Sequence, residues 1–420
     1  MTIEPHVQAV MLLTVTISDS NTSKVKPLSA IEWARFAIWL KDHKLEPSSL
    51  FAGDLGDQLS GWSDSKVTLP RLEMLLQRGG ALAVVLEKWQ RAGLWVLTRS
   101  DPDYPARLKN RLRASSSPVL FGSGNKQLLN KGGLAVIGSR DANDEDLTFT
   151  SNLGAEAAGQ GYSIISGGAR GVDETAMLAA LEGEGTCVGI LADSLLRSTS
   201  SAKFRKYIMS NDLVLLSPFN PEAGFNVGHA MARNRYIYAL SDAAVVISSS
   251  PGKGGTWSGA IENLKSRWVP LWIKNTVNPN SGNPELVNRG ADWLPKDIAD
   301  LNVIFSEVSE NRNKLSSPGD TDTVSVSIPE TPSPSNENYE FYRLFLQKIS
   351  AVAVSDALTS DEIAERFEIA KGQINTWLKR GVDDGVIRKL TLPVRYQWVE
   401  GVNKEQTIKE QGSLFDGNVI

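Results

Sequence analysis

One cysteine and three histidines among 420 residues leave little for thiol or metal chemistry. Cys187 has no partner for a disulfide within the chain, and it lies in the apolar run TCVGILA, which predicts a buried strand rather than a reactive thiol. His6, His43 and His229 are too widely scattered to suggest a zinc site. We therefore expect no metal site and no thiol-dependent catalyst.

Long apolar runs and an excess of positive charge are also missing. No run approaches the roughly 18 residues that span a bilayer, and the opening MTIEPHVQAVMLLTVTISDS lacks the basic start and small-residue cleavage site of a signal peptide. We expect a cytoplasmic protein without a membrane partner. The net charge of −4 excludes a protein coated in positive charge, so any nucleic-acid site must be a local patch.

The composition is that of a globular chain, with 41% hydrophobic and 22% charged residues. At about 100 to 200 residues per domain, its length predicts two to four domains. After a short strand-like run at the N-terminus, Ser29 and Glu32 have the spacing of a capping box and open an amphipathic helix. Further helical patterns follow, so residues 1–97 are predicted to form a small, mainly helical domain.

Residues 98–310 alternate strand-like and helix-like segments, which indicates a mostly parallel α/β sheet. The predicted strands are Leu134 to Ile137, Tyr162 to Ser166, Thr186 to Leu191, Asp212 to Ser217, Ala243 to Ser248 and Val269 to Ile273. These runs are apolar on both faces, as expected of a sheet covered by helices on both sides. In such sheets ligands bind beyond the carboxyl ends of the strands.

The C-terminal part divides into a linker, a small domain and a tail. Residues 311–336 are rich in Ser, Thr and Pro and are expected to be disordered, whereas residues 337–400 have the order of helices and paired strands found in a winged helix. The candidate DNA-contacting side chains of this module are Lys371, Gln373, Asn375, Lys379, Arg380, Lys389 and Arg395. Acidic and basic residues balance in the module, so contact with DNA and contact with protein are both open.

Three glycine-containing turns directly follow predicted strands and precede helices. Their residues are Gly138, Ser139 and Arg140; Ser166, Gly167, Gly168, Arg170, Gly171 and Asp173; and Lys253, Gly254, Gly255 and Thr256. Glycine lets the backbone approach an anion, and helix N-termini offer free N–H groups, so the turns predict phosphate binding. None has the pattern of a P-loop or of a dinucleotide fold, so no bound nucleotide cofactor is implied.

The motifs DPDYPARL, PVLFGSGN, AVIGSR, SGGARGVD and ARNRYIYALSDAAVVI occur in this order. The series resembles that of the DprA/Smf family, whose members have a Rossmann-like domain, bind single-stranded DNA and help to load a RecA-type recombinase. The resemblance implies that the glycine turns cradle DNA phosphates and that Asn234 and Arg235, in the family's RNR motif, contribute donors nearby. It also implies a homodimer, while Asp173 is expected to cap the following helix.

Two departures from the family pattern keep alternatives open. Met177 stands where the family commonly has a histidine, and the loop SSSPGKGGTWSGAIENL partly echoes the PGGxGTxxE motif of LOG-like nucleotide-processing proteins, with Glu262 as the candidate acid. A LOG-like nucleotide N-glycosidase, or a nucleotide-sensing protein of phage defence, is therefore an alternative to a DNA-binding protein without enzymatic activity. The pathway, whether transformation, recombination, repair or defence, is left open by the sequence.

The polar tail, residues 401–420, carries one short apolar cluster. Gln411, Leu414 and Phe415 resemble the peptide by which bacterial replication and repair proteins dock on the sliding clamp. A clamp contact is thus added to single-stranded DNA and a RecA-type recombinase as the expected partners.

Overall fold

The computed structural model describes residues 3–17, 25–276, 278–295 and 300–305, and parts of the C-terminal region: 345–346, 349–350, 357–367, 374–375, 377–378, 381–382, 386–391 and 394–399. The chain forms two compact units, residues 1–318 and residues 319–420, and each is described by itself. The predicted linker and the tail with Gln411, Leu414 and Phe415 lie outside the described residues, as do Lys371, Gln373, Lys379 and Arg380.

The first unit is built on a nine-stranded sheet in the order β1-β2-β6-β5-β4-β3-β7-β8-β9. The strands are β1 Trp95–Thr98, β2 Val119–Gly124, β3 Leu134–Ile137, β4 Ile164–Ser166, β5 Cys187–Ile190, β6 Leu213–Ser217, β7 Ala243–Val246, β8 Leu271–Ile273 and β9 Asp292–Trp293. Strands β3 to β9 pair in parallel, while β1 and β2 add an antiparallel edge next to β6. The mostly parallel, Rossmann-like sheet predicted from the sequence is confirmed.

Helices cover both faces of the sheet. In the first unit, the α-helices that lie wholly within the described residues are α1 Pro5–Thr14, α2 Ala30–Asp42, α3 Leu55–Gln58, α4 Leu69–Leu76, α5 Gly79–Arg91, α6 Ala106–Leu112, α7 Leu128–Lys131, α8 Asp144–Gly159, α9 Val172–Glu182, α10 Leu195–Thr199, α11 Ala202–Met209, α12 Val227–Leu240, α13 Gly254–Ser266 and α14 Asn283–Asn288. Alternate residues of β3 enter different clusters, Val136 with α8 and α9 and Ile137 with α12 and α13. Because both faces of such a strand are buried, consecutive residues of the strand are apolar.

The N-terminal segment corrects the sequence prediction, because α1 is a helix and not a strand. Pro5 occupies its first turn, where a missing N–H costs nothing, and Val10 to Leu13 are all buried. A short buried apolar run has no periodicity that separates the two structures. The capping box of α2 is confirmed: Ser29 N–H donates to Glu32 Oε2 at 2.8 Å, and Glu32 N–H donates to Ser29 Oγ at 3.3 Å.

The helical region and the sheet share one core. Trp89 on α5 meets Phe121 on β2 edge to face, with ring centroids 5.2 Å apart, and its indole N–H donates to Glu222. Cys187 is buried in β5, as expected, and burial raises the pKa of its thiol. None of the helices in the described part of the chain is both long and apolar enough to cross a membrane.

The described part of the second unit contains α15 Ser360–Phe367 and the antiparallel pair β10 Ile387–Thr391 and β11 Val394–Trp398. Thr359 and Glu362 form a capping box at the start of α15. Phe345, Ile363, Leu378 and Ile387 belong to one buried cluster. These elements fall where the sequence predicts a helix and two strands, and the winged helix as a whole stays a proposal.

Candidate nucleic-acid interface

The topological switch point of the sheet lies between β3 and β7, which are parallel neighbours although β4, β5 and β6 lie between them along the chain. On one side of β3 the sheet continues through β4, β5 and β6, and on the other through β7, β8 and β9. The loops after β3 and β7 therefore diverge and leave a crevice, which is where sheets of this kind bind ligands.

A cavity of about 460 Å³ occupies this crevice. Of the residues that the sequence singled out, it is lined by Gly138, Ser139, Arg140, Asp173, Asn234, Lys253, Gly254, Gly255 and Thr256. The first and third turns thus come together at one site. Thr256 Oγ1 on the third turn donates a hydrogen bond of 3.0 Å to the carbonyl of Gly138 on the first, which fixes the two turns to each other.

A second cavity, of about 270 Å³, adjoins the first on the side of β4. It is lined by Gly167, Gly168 and Arg170 of the second turn, and it shares Arg140, Ala169, Phe225 and Arg233 with the first cavity. The three turns therefore surround two neighbouring cavities with a common wall.

A buried ion pair supports that wall. Arg233 Nη1 lies 3.6 Å from Asp173 Oδ2, with the side chains 5% and 6% exposed, and it donates a 3.0 Å hydrogen bond to the carbonyl of Ile190. The Nε atom of Arg233 has no hydrogen-bond partner among the described residues. An arginine guanidinium stays charged in proteins, so a buried cationic group with spare donor capacity lines both cavities.

Asp173 faces the Arg233 guanidinium, and among the described residues its side chain makes no hydrogen bond that caps α9, whose N-cap is Gly171, which corrects the sequence interpretation. The backbone N–H groups of Gly138 and Gly167 are close enough to the Asp173 carboxylate to favour the charged form. Burial raises the pKa of Asp173, while the Arg233 guanidinium and these two N–H groups act in the opposite direction.

Two glycines of the second turn are required by this arrangement. A Cβ atom on Gly167 would overlap the Arg233 guanidinium and crowd the Asp173 carboxylate. Gly171 has φ +90°, and a Cβ there would lie 2.7 Å from the carbonyl oxygen of Ser139. A side chain at Gly167 would therefore disturb the buried pair, and one at Gly171 would disturb the first turn.

The three helices that follow the turns differ at their N-termini. Asn143 caps α8, whose first turn holds three acidic residues, and α9 has Asp173 and Glu174 in its first turn. Within the fully described helix α13, by contrast, the first turn has no acidic residue and the N-cap Lys253 makes no side-chain capping bond. The N-terminus of α13 is therefore the one of the three best suited to an anion.

Other residues singled out from the sequence serve different contacts. Asn234 donates a 2.9 Å hydrogen bond to the carbonyl of Gly255 and so supports the third turn. Arg235 is not among the described residues that line the two cavities, and its Nη2 pairs with Glu262 at 3.2 Å. Ser166 is buried and donates to the carbonyl of Val136. The candidate acid of the alternative enzymatic interpretation is therefore engaged by an arginine that does not line the crevice.

From the RNR motif the sequence singled out Asn234 and Arg235 but not Arg233, and it gave no sign of an apolar border of the cavities. Arg233 and Arg235 are two positions apart on α12, so they point in directions about 200° apart, and only one of them can face the turns. Phe225, Val227 and Met231 line the first cavity and are exposed to solvent. Their position next to the RNR motif was the available signal, but apolar residues near a helix start normally indicate core packing.

The charge of the site is mixed. Of the described residues, four cationic side chains line the two cavities: Arg140, Arg170, Arg233 and Lys253. The carboxylates of Asp141, Asp173 and Asp193 line them as well. Arg170 Nη2 is 4.0 Å from Asp141 Oδ1, and both side chains are largely exposed. Arg140 and Lys253 are therefore the cations best placed to meet an incoming anion.

The fold and the site define an α/β protein of Rossmann-like architecture with a phosphate-sized, glycine-lined crevice at its switch point. The family model described as DNA recombination-mediator protein A matches residues 95–305. Because the match spans half of the chain, the protein belongs to this family of DNA-processing proteins, and the resemblance found in the sequence is confirmed.

Individual relatives agree with this assignment. The chain is 26% identical over 241 residues to the DNA processing protein DprA of Bacillus subtilis, a match that covers 56% of this chain and 78% of that protein. It is 25% identical over 312 residues to the Smf protein of Synechocystis, covering 70% and 77%. The X-ray structure of DprA from Streptococcus pneumoniae superposes with a TM-score of 0.53 at 19% identity, covering 70% of this chain and 95% of that one, which shows a common fold.

Proposed function

We propose that the protein binds single-stranded DNA through its phosphate backbone and has no enzymatic activity of its own. The observation that carries the proposal is the switch-point crevice, where Arg140 and Lys253 flank the uncompensated N-terminus of α13. Full charges, free backbone N–H groups and a helix dipole then act on the same anion.

The crevice favours a strand over a single phosphate group. Two cavities adjoin across Arg140 and Arg233, so successive phosphates of one strand have places to lie. The donors found there are backbone N–H groups and charged side chains that suit phosphate oxygens, and such contacts carry little base information. Binding should therefore depend weakly on sequence and strongly on salt.

The family description supports a wider role. As a member of a family named for mediating recombination, the protein would hand single-stranded DNA to a RecA-type recombinase, in recombination or transformation. A homodimer and a cytoplasmic location belong to the same proposal, as does a sliding-clamp contact through the tail. Mass photometry of the full chain would test the dimer directly.

The central experiment is fluorescence anisotropy of a labelled oligo-dT titrated with the wild type and with Arg140→Ala and Lys253→Ala at several salt concentrations. Each substitution removes a charge-assisted interaction and should weaken binding about tenfold or more. Each should also reduce the slope of log K against log salt by about 0.7 for every phosphate that the variant no longer neutralises. Lys265→Ala is the matched control, because this exposed lysine lies in the last turn of the same helix α13.

The same titration separates the alternatives. A mononucleotide added as competitor should not displace the oligonucleotide if the ligand is a strand. Wild-type binding that is absent, insensitive to salt or reversed by the mononucleotide would refute the proposal. Release of a free base from a mononucleotide would show the enzymatic alternative instead.

A further inference from the structure

A fully buried asparagine lies behind the third turn, outside the motifs that the sequence singles out. Asn283 is 0% exposed and is the first residue of α14. A side-chain amide has two N–H donors and one carbonyl acceptor, so a single asparagine can bind several segments of the chain at once. Asn283 uses both kinds of group, and the segments that it binds lead to the crevice.

The amide N–H groups of Asn283 bind the ends of two neighbouring strands. Its Nδ2 donates at 2.9 Å to the carbonyl of Ile247, directly after β7, and at 2.9 Å to the carbonyl of Lys274, directly after β8. The register of β7 and β8 ends one residue earlier, at the pair Val246 and Ile273. Asn283 therefore joins the two strands just beyond their last paired residues, and it binds two buried carbonyl groups that would be costly to leave without a partner.

The end of β8 is the fixed side of this junction. Lys274 is 6% exposed, and its Nζ lies 2.9 Å from Oδ1 of Asp146 in the first turn of α8. A buried pair of this kind resists displacement, because separating its charges would leave each of them buried and unpaired. Asn283 thus connects the loop after β7 to a strand end that is already tied to α8.

The loop after β7, residues 247–250, is the side that leads to the anion site. Ser249 Oγ donates to Asn283 Oδ1 at 2.9 Å. Ser249 and Ser250 line the first cavity, and Ser250 forms an antiparallel bridge with Lys253. The contacts of Asn283 therefore continue through this loop to Lys253, the N-cap of α13.

We infer that Asn283 is a positioning residue for the phosphate-binding site at the N-terminus of α13. Asn283 is not among the described residues that line the two cavities, so it acts through the 247–250 loop. By holding this loop against the end of β8, it determines where Lys253 and the first N–H groups of α13 lie. The inference rests on the proposed function and adds the residue that places the anion site.

The test is a double-variant cycle on the affinity for oligo-dT, measured by fluorescence anisotropy at one salt concentration. Asn283→Ala should weaken binding about tenfold, because the loop that presents Lys253 is no longer held. In that background Lys253→Ala should cost less than about threefold, against about tenfold in the wild type, because the lysine is already displaced from the phosphate. A variant that only lowers the folded fraction would reduce every affinity by one common factor, and the two losses would then multiply.

Asn263→Ala is the matched control. Asn263 is also 0% exposed, and its Nδ2 donates at 2.9 Å to the carbonyl of Val269, beyond the C-terminal end of α13. Its loss should lower the urea midpoint as that of Asn283 does, because a buried carbonyl again loses its partner. The affinity for oligo-dT should nevertheless stay within about twofold of wild type, and the loss on adding Lys253→Ala should be the full one.

Ser249→Ala allows the same cycle with a smaller structural change, should Asn283→Ala fail to fold. It removes one of the three side-chain hydrogen bonds of Asn283 and leaves the two strand ends joined. It should weaken binding less than Asn283→Ala does, and the loss on adding Lys253→Ala should again be smaller than in the wild type.

The outcomes separate this inference from the proposed function. Equal affinities of folded Asn283→Ala and wild type would overturn the inference, and so would losses that multiply fully with that of Lys253→Ala. In either case Asn283 would stabilise the fold without placing the anion site, while the proposed function would stand. Failure of the wild type to bind oligo-dT would refute the proposed function itself.

Discussion

Removing Arg233 should destabilise the protein far more than removing an exposed arginine. In Arg233→Met the carboxylate of Asp173, 6% exposed, would remain buried without its counter-charge. Breaking a buried pair in this way costs about 3–5 kcal/mol. Arg91→Met is the matched control, because Arg91 pairs with Glu87 at the surface and the loss should stay below about 1 kcal/mol.

The measurement is urea unfolding followed by tryptophan fluorescence, since most of the eleven tryptophans belong to the first unit. Asp173→Asn alone should also destabilise, whereas the double variant Arg233→Met with Asp173→Asn should lose less than the two single losses combined. A cost below about 1 kcal/mol for Arg233→Met, or additive losses in the double variant, would refute the buried pair as a structural element of the site.

The pH dependence of Arg233→Met has a definite sign. Burial already raises the pKa of Asp173, and loss of the neighbouring cation should raise it further. A carboxyl group whose pKa is higher in the folded than in the unfolded protein stabilises the folded state at low pH, where the group is protonated. This stabilisation is lost as the pH rises through the pKa of the folded state. The stability difference from wild type should therefore shrink as the pH is lowered toward the ordinary pKa of aspartate, and a difference that grows in acid would contradict the assignment.

Three further predictions concern the helical region, the second turn and the RNR motif. Burial tends to raise the pKa of Glu32, but hydrogen bonds from Arg71 and the N-cap outweigh it and lower the pKa below its ordinary value. Glu32→Gln should therefore lower the free energy of unfolding by roughly 1 kcal/mol at neutral pH. That stability is present above the ordinary pKa of glutamate and is lost as the pH falls through the lowered pKa of the folded state. In urea titrations the free energies of unfolding of wild type and variant should therefore converge at acid pH. Gly171→Ala should cost about 1–3 kcal/mol, seen as a lower unfolding midpoint, because its φ of +90° is strained for a residue with Cβ. Arg235→Ala should leave oligonucleotide affinity in the anisotropy assay within a few-fold, since its partner is Glu262, and a loss as large as that of Arg140→Ala would count against the placement of Arg235.

The parallel part of the sheet could be predicted because its strands are buried on both faces, so each is a continuous apolar run bounded by a turn. The antiparallel edge could not be predicted in the same way. Strand β2 contains Gly122 and Gly124, which suggest a turn, yet a Cβ on Gly122 would collide with the Trp95 ring and with the backbone of Leu215. Here glycine serves close packing between strands, and only the neighbours reveal it.

The candidate site was predictable in its turns and less so in its side chains. Glycine after a strand and before a helix identifies where the backbone can meet an anion, and the residues of the first and third turns at the first cavity follow from that rule. Which arginine of the RNR motif faces the cavity depends on the rotation of α12 against the sheet. That rotation is determined by the packing of Tyr236, Ile237 and Leu240 in the core, a long-range property that a local motif does not carry.

The three turns look equivalent in sequence, but the structure gives them different electrostatic roles. The dipoles of α8 and α9 act on acidic residues in their own first turns. Free backbone donors and an unopposed dipole therefore coincide at α13, while the first two turns contribute mainly through arginine side chains. We therefore expect a bound strand to meet backbone donors and Lys253 at one end and Arg140 at the other. Two adjoining cavities suit a chain of phosphates better than a single phosphate.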